Sequence, residues 1–323
     1  MALLLREADV QALLTMPLAL EAVEEAFRRQ AAGEAILHPR RRLELPEKAF
    51  LHYMAAADTV NDYLGMKLYT SVRGAVRFLV PLYRAATGEL VALIEADYLG
   101  QMRTGAASGV ATKFMSRADA HAVGIVGTGL QAHTQLEALA AVRKITSIRA
   151  FGRDAERRKR FCEEMQVKLD IPVSPAGSAE EAVRGLDIVV SATTASKPVV
   201  LGTWLAPGTH VNAIGANFPQ KRELDDEVVR RAAIIAVDSI EQSKMEAGDL
   251  IQAFRADPSR WTAVRELAEI VAGKTPGRTA AQQVTLFKSN GIAVWDVAVA
   301  ARVYELAQQR KVGRQVPLWE EGG

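Results

Sequence analysis

Two sets of residues in this chain have types and spacing that could do chemistry. The first is Gly127-Thr128-Gly129-Leu130-Gln131-Ala132, which follows the apolar run Ala122 to Val126 and opens an apolar-periodic segment. In a strand-to-helix turn the first glycine permits the tight turn and the second lets a pyrophosphate approach the backbone. The small Ala132 lets the helix pack closely, with its N-terminal amides facing the anion. Six such residues alone are a weak motif, but the legible strand before them and helix after them supply the required context. A second strand, Ile145 to Phe151, ends in Gly152-Arg153-Asp154, where an adenosine ribose would lie. A guanidinium there suits a 2′-phosphate, which a carboxylate would repel, so NADP(H) is favoured. NAD(H) stays open, since Asp154 could serve a free ribose. Arg153 with Arg157, Arg158, Lys159 and Arg160 also reads as the solvated start of a helix.

The second set consists of basic residues in apolar or small-residue surroundings: Arg40 in HPRRRLELP, Lys67 in LGMKLYTS and Arg103 in GQMRTGAA. Opposite a hydride cofactor, such groups could hold an anionic substrate. Each has an ordinary alternative: a solvated arginine run for Arg40, a strand edge for Lys67, a helix start for Arg103. Other motifs fail. Gly273-Lys274-Thr275 lacks the earlier glycine of a nucleotide-triphosphate loop, with Ala268 in its place, and no Gly-x-Ser-x-Gly elbow supports acyl transfer. His38, His52, His121, His133 and His210 show no ligand spacing, so no metal site is expected.

Positioning these residues requires alternating elements. Thr15 to Gln30 reads as a helix with Pro17 in its first turn and an end near Gly33. Lys67 to Ser71 reads as a strand, Phe78 to Tyr83 with Glu89 to Glu95 as a hairpin around Thr87-Gly88, and Arg103 to Phe114 as a tightly packed helix. After the first βαβ unit, Asp187 to Thr193, His210 to Gly215 and Ile234 to Val237 read as further buried parallel strands. The predicted fold is α/β: a Rossmann doubly wound parallel sheet plus an α+β substrate-binding and dimerisation domain. Ligands of such a sheet sit beyond the carboxyl ends of its strands, which places Thr193 and Thr194 near the nicotinamide ribose and Gly215-Ala216-Asn217 at the active-site rim. Asn290 to Gln309 has helical periodicity and is expected to pack on the N-terminal domain. The predicted boundaries are 1–117 joined by 296–323 for the substrate domain, and 118–295 for the dinucleotide domain.

At 323 residues the chain exceeds what one core usually supports. A net charge of +2 with 24% charged residues offers no footprint for nucleic acid. Cys162 is the only cysteine, which excludes an internal disulfide and fits a reducing cytoplasm. The start, MALLLREADV, reads as neither signal peptide nor membrane span.

The order and spacing of Pro39-Arg40, Gly65-Met66-Lys67, the Thr87-Gly88 hairpin, Arg103-Thr104-Gly105-Ala106, GTGLQA, SATTASKPV and FKSNGIAVWDVA make the whole chain resemble the ornithine cyclodeaminase and mu-crystallin family. That family includes ketimine reductases and archaeal-type alanine dehydrogenases. The resemblance implies a homodimer joined through a β-barrel-like interface of the N-terminal domains, with the active site between that domain and the Rossmann domain. It further implies that Arg40, Lys67 and Arg103 bind a substrate carboxylate, that Lys67 handles a proton, and that Thr104 joins the cofactor set. One position departs from the pattern. Cyclodeaminases look like GGDCPGK where this chain has Gly215-Ala216-Asn217-Phe218-Pro219-Gln220-Lys221, so Asn217 replaces an aspartate. An amide cannot take up a proton near neutral pH. Reduction of a preformed imine needs only a hydride, a carboxylate clamp and a donor, which Asn217 and Lys67 could supply. The expectation is an NAD(P)H-dependent reductase of small imino acids. Two alternatives stand: ornithine cyclodeamination using Glu223, Asp225 or Asp226 as base, and a non-catalytic crystallin-like NADPH-binding protein.

Overall fold

The computed structural model describes residues 1–46 and 49–318, so the last residues of the expected C-terminal segment, 319–323, lie outside the described residues. The chain divides into two compact units, Met1–Arg103 with Gly291–Gly323, and Thr104–Asn290. The first opens with β1 (Ala2–Leu5), α1 (Glu7–Leu13) and α2 (Met16–Ala32), then runs through β2 (Ala35–Leu45), β3 (Ala49–Asp58), β4 (Tyr63–Val72), β5 (Ala75–Arg84) and β6 (Leu90–Glu95) into α3 (Asp97–Met115). The second holds β7 (Ala122–Val126), α4 (Leu130–Val142), β8 (Ser147–Phe151), α5 (Ala155–Leu169), β9 (Val173–Pro175), α6 (Ala179–Val183), β10 (Ile188–Ser191) and β11 (His210–Ala213). It continues with α7 (Asp226–Arg231), β12 (Ala232–Val237), α8 (Ile240–Glu246), α9 (Gly248–Ala253), β13 (Arg265–Glu266), α10 (Leu267–Val271) and β14 (Val284–Lys288). The chain returns to the first unit with α11 (Ala293–Arg310) and β15 (Arg314–Val316).

The division falls at 103/104 and 290/291, where 117/118 and 295/296 were expected. The reason is local: α3 starts at Asp97, six residues before the expected Arg103, and carries the chain across the boundary without a break. Arg103 therefore sits inside a helix and does not cap one.

In the first unit a seven-stranded sheet runs in the order β15-β1-β6-β5-β4-β3-β2. Its strands pair antiparallel except for the parallel β1/β6 pair. The helix α2 starts from an extended Thr15 with Pro17 in its first turn and ends at Gly33, whose φ of 75° lets its N–H reach the carbonyls of Arg29 and Gln30. It buries Ala19, Ala22, Val23, Ala26 and Phe27, the positions that helical spacing puts on one face. The ring of Phe27 meets Trp295 of α11 edge-on at 5.1 Å, and a fully buried Phe contributes roughly 1.5 to 3 kcal/mol by leaving water. The same α11 crosses β2 to β5. Gly65 permits this: a Cβ there would lie 3.3 Å from Val297 Cγ2 and 2.8 Å from the carbonyl of Pro81.

The second unit carries an eight-stranded sheet, β13-β12-β14-β11-β10-β7-β8-β9, parallel throughout. Strand β7 has β8 on one side and β10 on the other, so the chain reverses direction across the sheet at the carboxyl end of β7. Such a reversal opens the crevice in which doubly wound sheets bind their ligands. The strands are nearly continuous apolar runs because both faces are covered: Val123, Ile125, Ile188 and Val190 pack into one cluster, and Val126, Val189, Val211 and Leu286 into the other.

Candidate functional site

Arg40, Lys67 and Arg103 are all buried, so Arg40 and Lys67 do not occupy the solvated positions that their sequence context allowed. Each owes this to a different local device. Opposite Met54, β2 carries an extra residue at Pro39-Arg40, a bulge between the pairs His38 to Ala55 and Arg41 to Tyr53. A bulge breaks the two-residue alternation and re-aims a side chain, and here it sends Arg40 inward, with Nη2 donating to the carbonyl of Gly291 at 3.3 Å. Lys67 stands on the interior strand β4, its ammonium 4.8 Å from the centre of the Phe78 ring. Arg103 lies in the second turn of α3, near the Trp295 ring. Two glycines make room for the charges: a Cβ on Gly100 would sit 2.8 Å from Lys67 Nζ, and one on Gly291 2.7 Å from Arg103 Nη1.

The group that joins them was not identified from sequence. Asp296 of α11 is fully buried, and its Oδ1 accepts from Lys67 Nζ at 2.9 Å and from Arg103 Nε at 3.0 Å. Burial alone would raise its proton affinity, yet Arg103 and Lys67 hold the carboxyl below the usual range. Burial and the neighbouring Arg103 depress Lys67 from 10.5 to about 8, against the opposing pull of Asp296. A signal was present, since Asp296 is the only charged residue between Lys288 and Arg302, and a lone charge in an apolar helix needs a buried partner.

The glycine turn has the form its sequence implies. Gly127 has φ of 112° and donates to the carbonyl of Phe151 at 2.8 Å, and a Cβ would collide with the carbonyl of Ala192. Gly129 is the extended residue before α4, whose first turn has no side-chain cap. A Cβ on Gly129 would meet only Arg157 Nη2, at 3.8 Å, so the side from which an anion approaches is open. Leu130 and Gln131 form the first turn, and Ala132 is buried against the strands. Thr128 packs its side chain onto Gly152, where a Cβ would collide with it. Thr104 and Gly105 lie on α3; a Cβ on Gly105 would collide with the carbonyl of Thr134, so α3 and α4 touch backbone to backbone. Uncapped amides, a left-handed glycine and open space together fit a dinucleotide pyrophosphate.

At the end of β8, Arg153 is exposed and Asp154 caps α5, its carboxylate accepting from Arg157 N at 2.9 Å. Arg157, read from sequence as part of a solvated run, donates through Nε to the carbonyl of Thr128 at 3.1 Å and so ties α5 to the glycine turn.

The ends of β10 and β11 are joined by Glu223. Its Oε1 accepts from the Thr193 N–H at 2.6 Å and hydroxyl at 2.7 Å, and its Oε2 from Gly215 N at 2.7 Å and Ala216 N at 3.1 Å. Thr193 thus turns its hydroxyl to Glu223, while Thr194 is exposed. Asp249 holds the Glu223 and Leu224 amides at 2.7 and 2.9 Å and pairs with buried Lys288 at 3.3 Å. Asp225 caps α7, accepting from Val228 N at 3.0 Å, and exposed Asp226 pairs with Arg222 at 2.6 Å. Glu223, Asp225 and Asp226, the carboxylates that the sequence offered as bases, thus each have another partner, and Asn217 is half-buried. Among the described residues, no group of three or more His, Cys, Asp or Glu could hold a metal, and no helix is long and apolar enough to cross a membrane. Desolvation leaves His52 at about 4 and His210 at about 3, both neutral at physiological pH.

Comparison with known proteins gives consistent matches over the length of the chain. The structure is similar to that of Thermococcus litoralis Δ1-pyrroline-2-carboxylate reductase in complex with NADH and L-proline, with TM-score 0.94, 38% identity, and coverage of 97% of this chain and 100% of that one. An archaeal alanine dehydrogenase dimer with bound NAD gives 0.93 and 37%, over 98% and 99%. The ketimine reductase mu-crystallin of Rattus norvegicus is 33% identical over 80% of each chain. Residues 1–311 match the profile of the ornithine cyclodeaminase/mu-crystallin family. The chain belongs to the ornithine cyclodeaminase/mu-crystallin family.

Proposed function

We propose that the protein is an NAD(P)H-dependent reductase of small α-imino acids, cyclic ketimines among them, and in reverse an amino-acid dehydrogenase. The observation that carries this reading is that two buried cations, Lys67 and Arg103, share a single carboxylate oxygen, so one positive charge is left over beside Arg40. A desolvated excess charge favours an anion, and a substrate carboxylate supplies it. Arg40 and Arg103 clamp that carboxylate and fix the orientation of the adjoining C=N carbon. Lys67 spends one N–H on Asp296 and offers another to the imine nitrogen, which must gain a proton on reduction. The nicotinamide, when bound at the glycine turn, supplies the hydride.

Cyclodeamination of an amino acid such as ornithine needs, besides the group that exchanges the first proton, a second base to free the attacking side-chain amine, and Glu223, Asp225 and Asp226 have other partners. Asn217 serves instead as a hydrogen-bonding group at the rim. NADP(H) is the preferred cofactor, because Arg153 is exposed at the ribose end of β8 while Asp154 is occupied as a cap. A homodimer is favoured by the apolar residues exposed at the β2 edge, Ile36, Leu43 and Leu45, and by the dimeric alanine dehydrogenase relative.

The test follows NADPH oxidation with Δ1-pyrroline-2-carboxylate and Δ1-piperideine-2-carboxylate, and ammonia and proline formation from L-ornithine. Turnover of the imines with little ammonia is expected, and Asn217→Asp should gain partial deamination. Robust proline production by the unsubstituted protein would make it a cyclodeaminase; tight NADPH binding without turnover would make it a binding protein.

A further inference from the structure

The proposed mechanism gives no task to Asp296, a fully buried ionisable group. Asp296 contributes neither a proton nor a substrate contact, and its Oδ2 has no hydrogen-bond partner among the described residues. A buried carboxylate is costly, and well-packed apolar residues often replace such ion pairs without loss of stability. Packing alone does not explain it.

We propose that Asp296 is the positioning residue of the clamp: by holding Lys67 and Arg103 on one oxygen it fixes the spacing of the two charges and keeps Lys67 protonated for donation. The sequence separations make the point. Arg103 and Lys67 come from α3 and β4, and α11 is the element that brings a single acceptor to both. Without it, two buried cations would face each other with nothing between them, and repulsion would drive the lysine to lose its proton. The charged groups facing Lys67 are Asp296 on α11, Arg103 and Asp97 on α3, and Arg40 on β2, whereas β3 and β5 present Met54 and the Phe78 ring. Asp97 acts on Lys67 through space only, with no hydrogen bond between them among the described residues. Among the described residues, Asp296 is therefore the carboxylate that both orients the ammonium and holds its charge.

This inference rests on the reading of Lys67 as the proton carrier, so two measurements separate them. The first is competitive acetylation of Lys67 across pH, read by mass spectrometry, which reports the lysine's proton affinity whether or not it acts in catalysis. In the unsubstituted protein the amine should become reactive near pH 8. In Asp296→Asn, which keeps the shape and an acceptor oxygen, that onset should move down by about 1 to 3 pH units. Asp296→Glu, which keeps the charge, should restore it in part, and if the Asn variant does not fold, Asp296→Ser is read in the same way. The second measurement is the pH profile of kcat/KM for imine reduction, whose alkaline limb should move with the labelling onset. An onset unchanged by loss of the carboxylate would overturn the role of Asp296. A shifted onset with an unmoved activity profile would instead overturn the catalytic reading of Lys67 and leave Asp296 as the group that sets its charge.

Discussion

On the proposed reading, Lys67 sets the pH scale of the chemistry. With its proton affinity brought down to about 8, the lysine is charged below that value and neutral above it. Imine reduction needs the charged form, so its kcat/KM should be level below about pH 8 and fall above it. Oxidation of the amino acid needs the neutral form and should rise through the same value. Steady-state profiles in both directions check the sign, and parallel profiles would remove Lys67 from proton transfer. Truncating the clamp should act differently. Each charge-assisted hydrogen bond contributes roughly 1.5 to 3 kcal/mol, so Arg40→Met and Arg103→Met should each lower kcat/KM roughly 10- to 100-fold, mainly through KM. Lys67→Met should also lower kcat. Cofactor affinity, measured by fluorescence titration, should stay within about twofold in all three, since the turn at Gly127 to Ala132 lies on other elements.

Among the elements, the β7-turn-α4 unit is where a single methyl should matter most. Gly127→Ala places a side chain at φ of 112° and against the carbonyl of Ala192, so it should cost about 1 to 3 kcal/mol of stability and abolish dinucleotide binding. Gly33→Ala is the control: φ is 75°, with no atom within 4 Å, so it should lower the melting temperature and leave cofactor affinity alone. Arg153→Ala should narrow the preference for NADPH over NADH; equal affinities in the unsubstituted protein would refute the preference itself. The Rossmann strands were legible because strands covered on both faces are written as unbroken apolar runs, and the turn because glycine has few other reasons to recur at that spacing. The hairpin of β2 and β3 was not legible. It lies at the edge of its sheet, Pro39 and the bulge break its alternation, and three arginines there read as solvent-facing. The strand β14 was missed as well, since its last residue, Lys288, looks exposed and is in truth buried against Asp249. In the candidate site the three cations each had an ordinary alternative when taken singly and were brought together by the family resemblance, whereas Asp296 has meaning only once α11 is laid on the sheet.

For the whole molecule, assembly and folding both follow from the order of the chain. The exposed leucines of β2 give a direct test of the homodimer: Leu43→Lys with Leu45→Lys should shift the protein from dimer to monomer in sedimentation velocity, while dinucleotide binding persists. A monomeric unsubstituted protein would remove the basis for that interface. The unit Thr104–Asn290 is one continuous stretch, but the other is written in two pieces at opposite ends of the chain. In chain order the strands β2 to β6 precede the second unit, whereas α11, which covers β2 to β5, follows the whole of it. Asp296 therefore cannot reach Lys67 and Arg103 until the second unit has been synthesised. The nascent chain therefore carries an unfinished sheet, with Lys67 and Arg103 still in water, through the time in which its second unit is built. A chain cut short before Ala293 should keep its dinucleotide turn and lack the proposed clamp, so the arrival of α11 is the step on which the proposed chemistry waits.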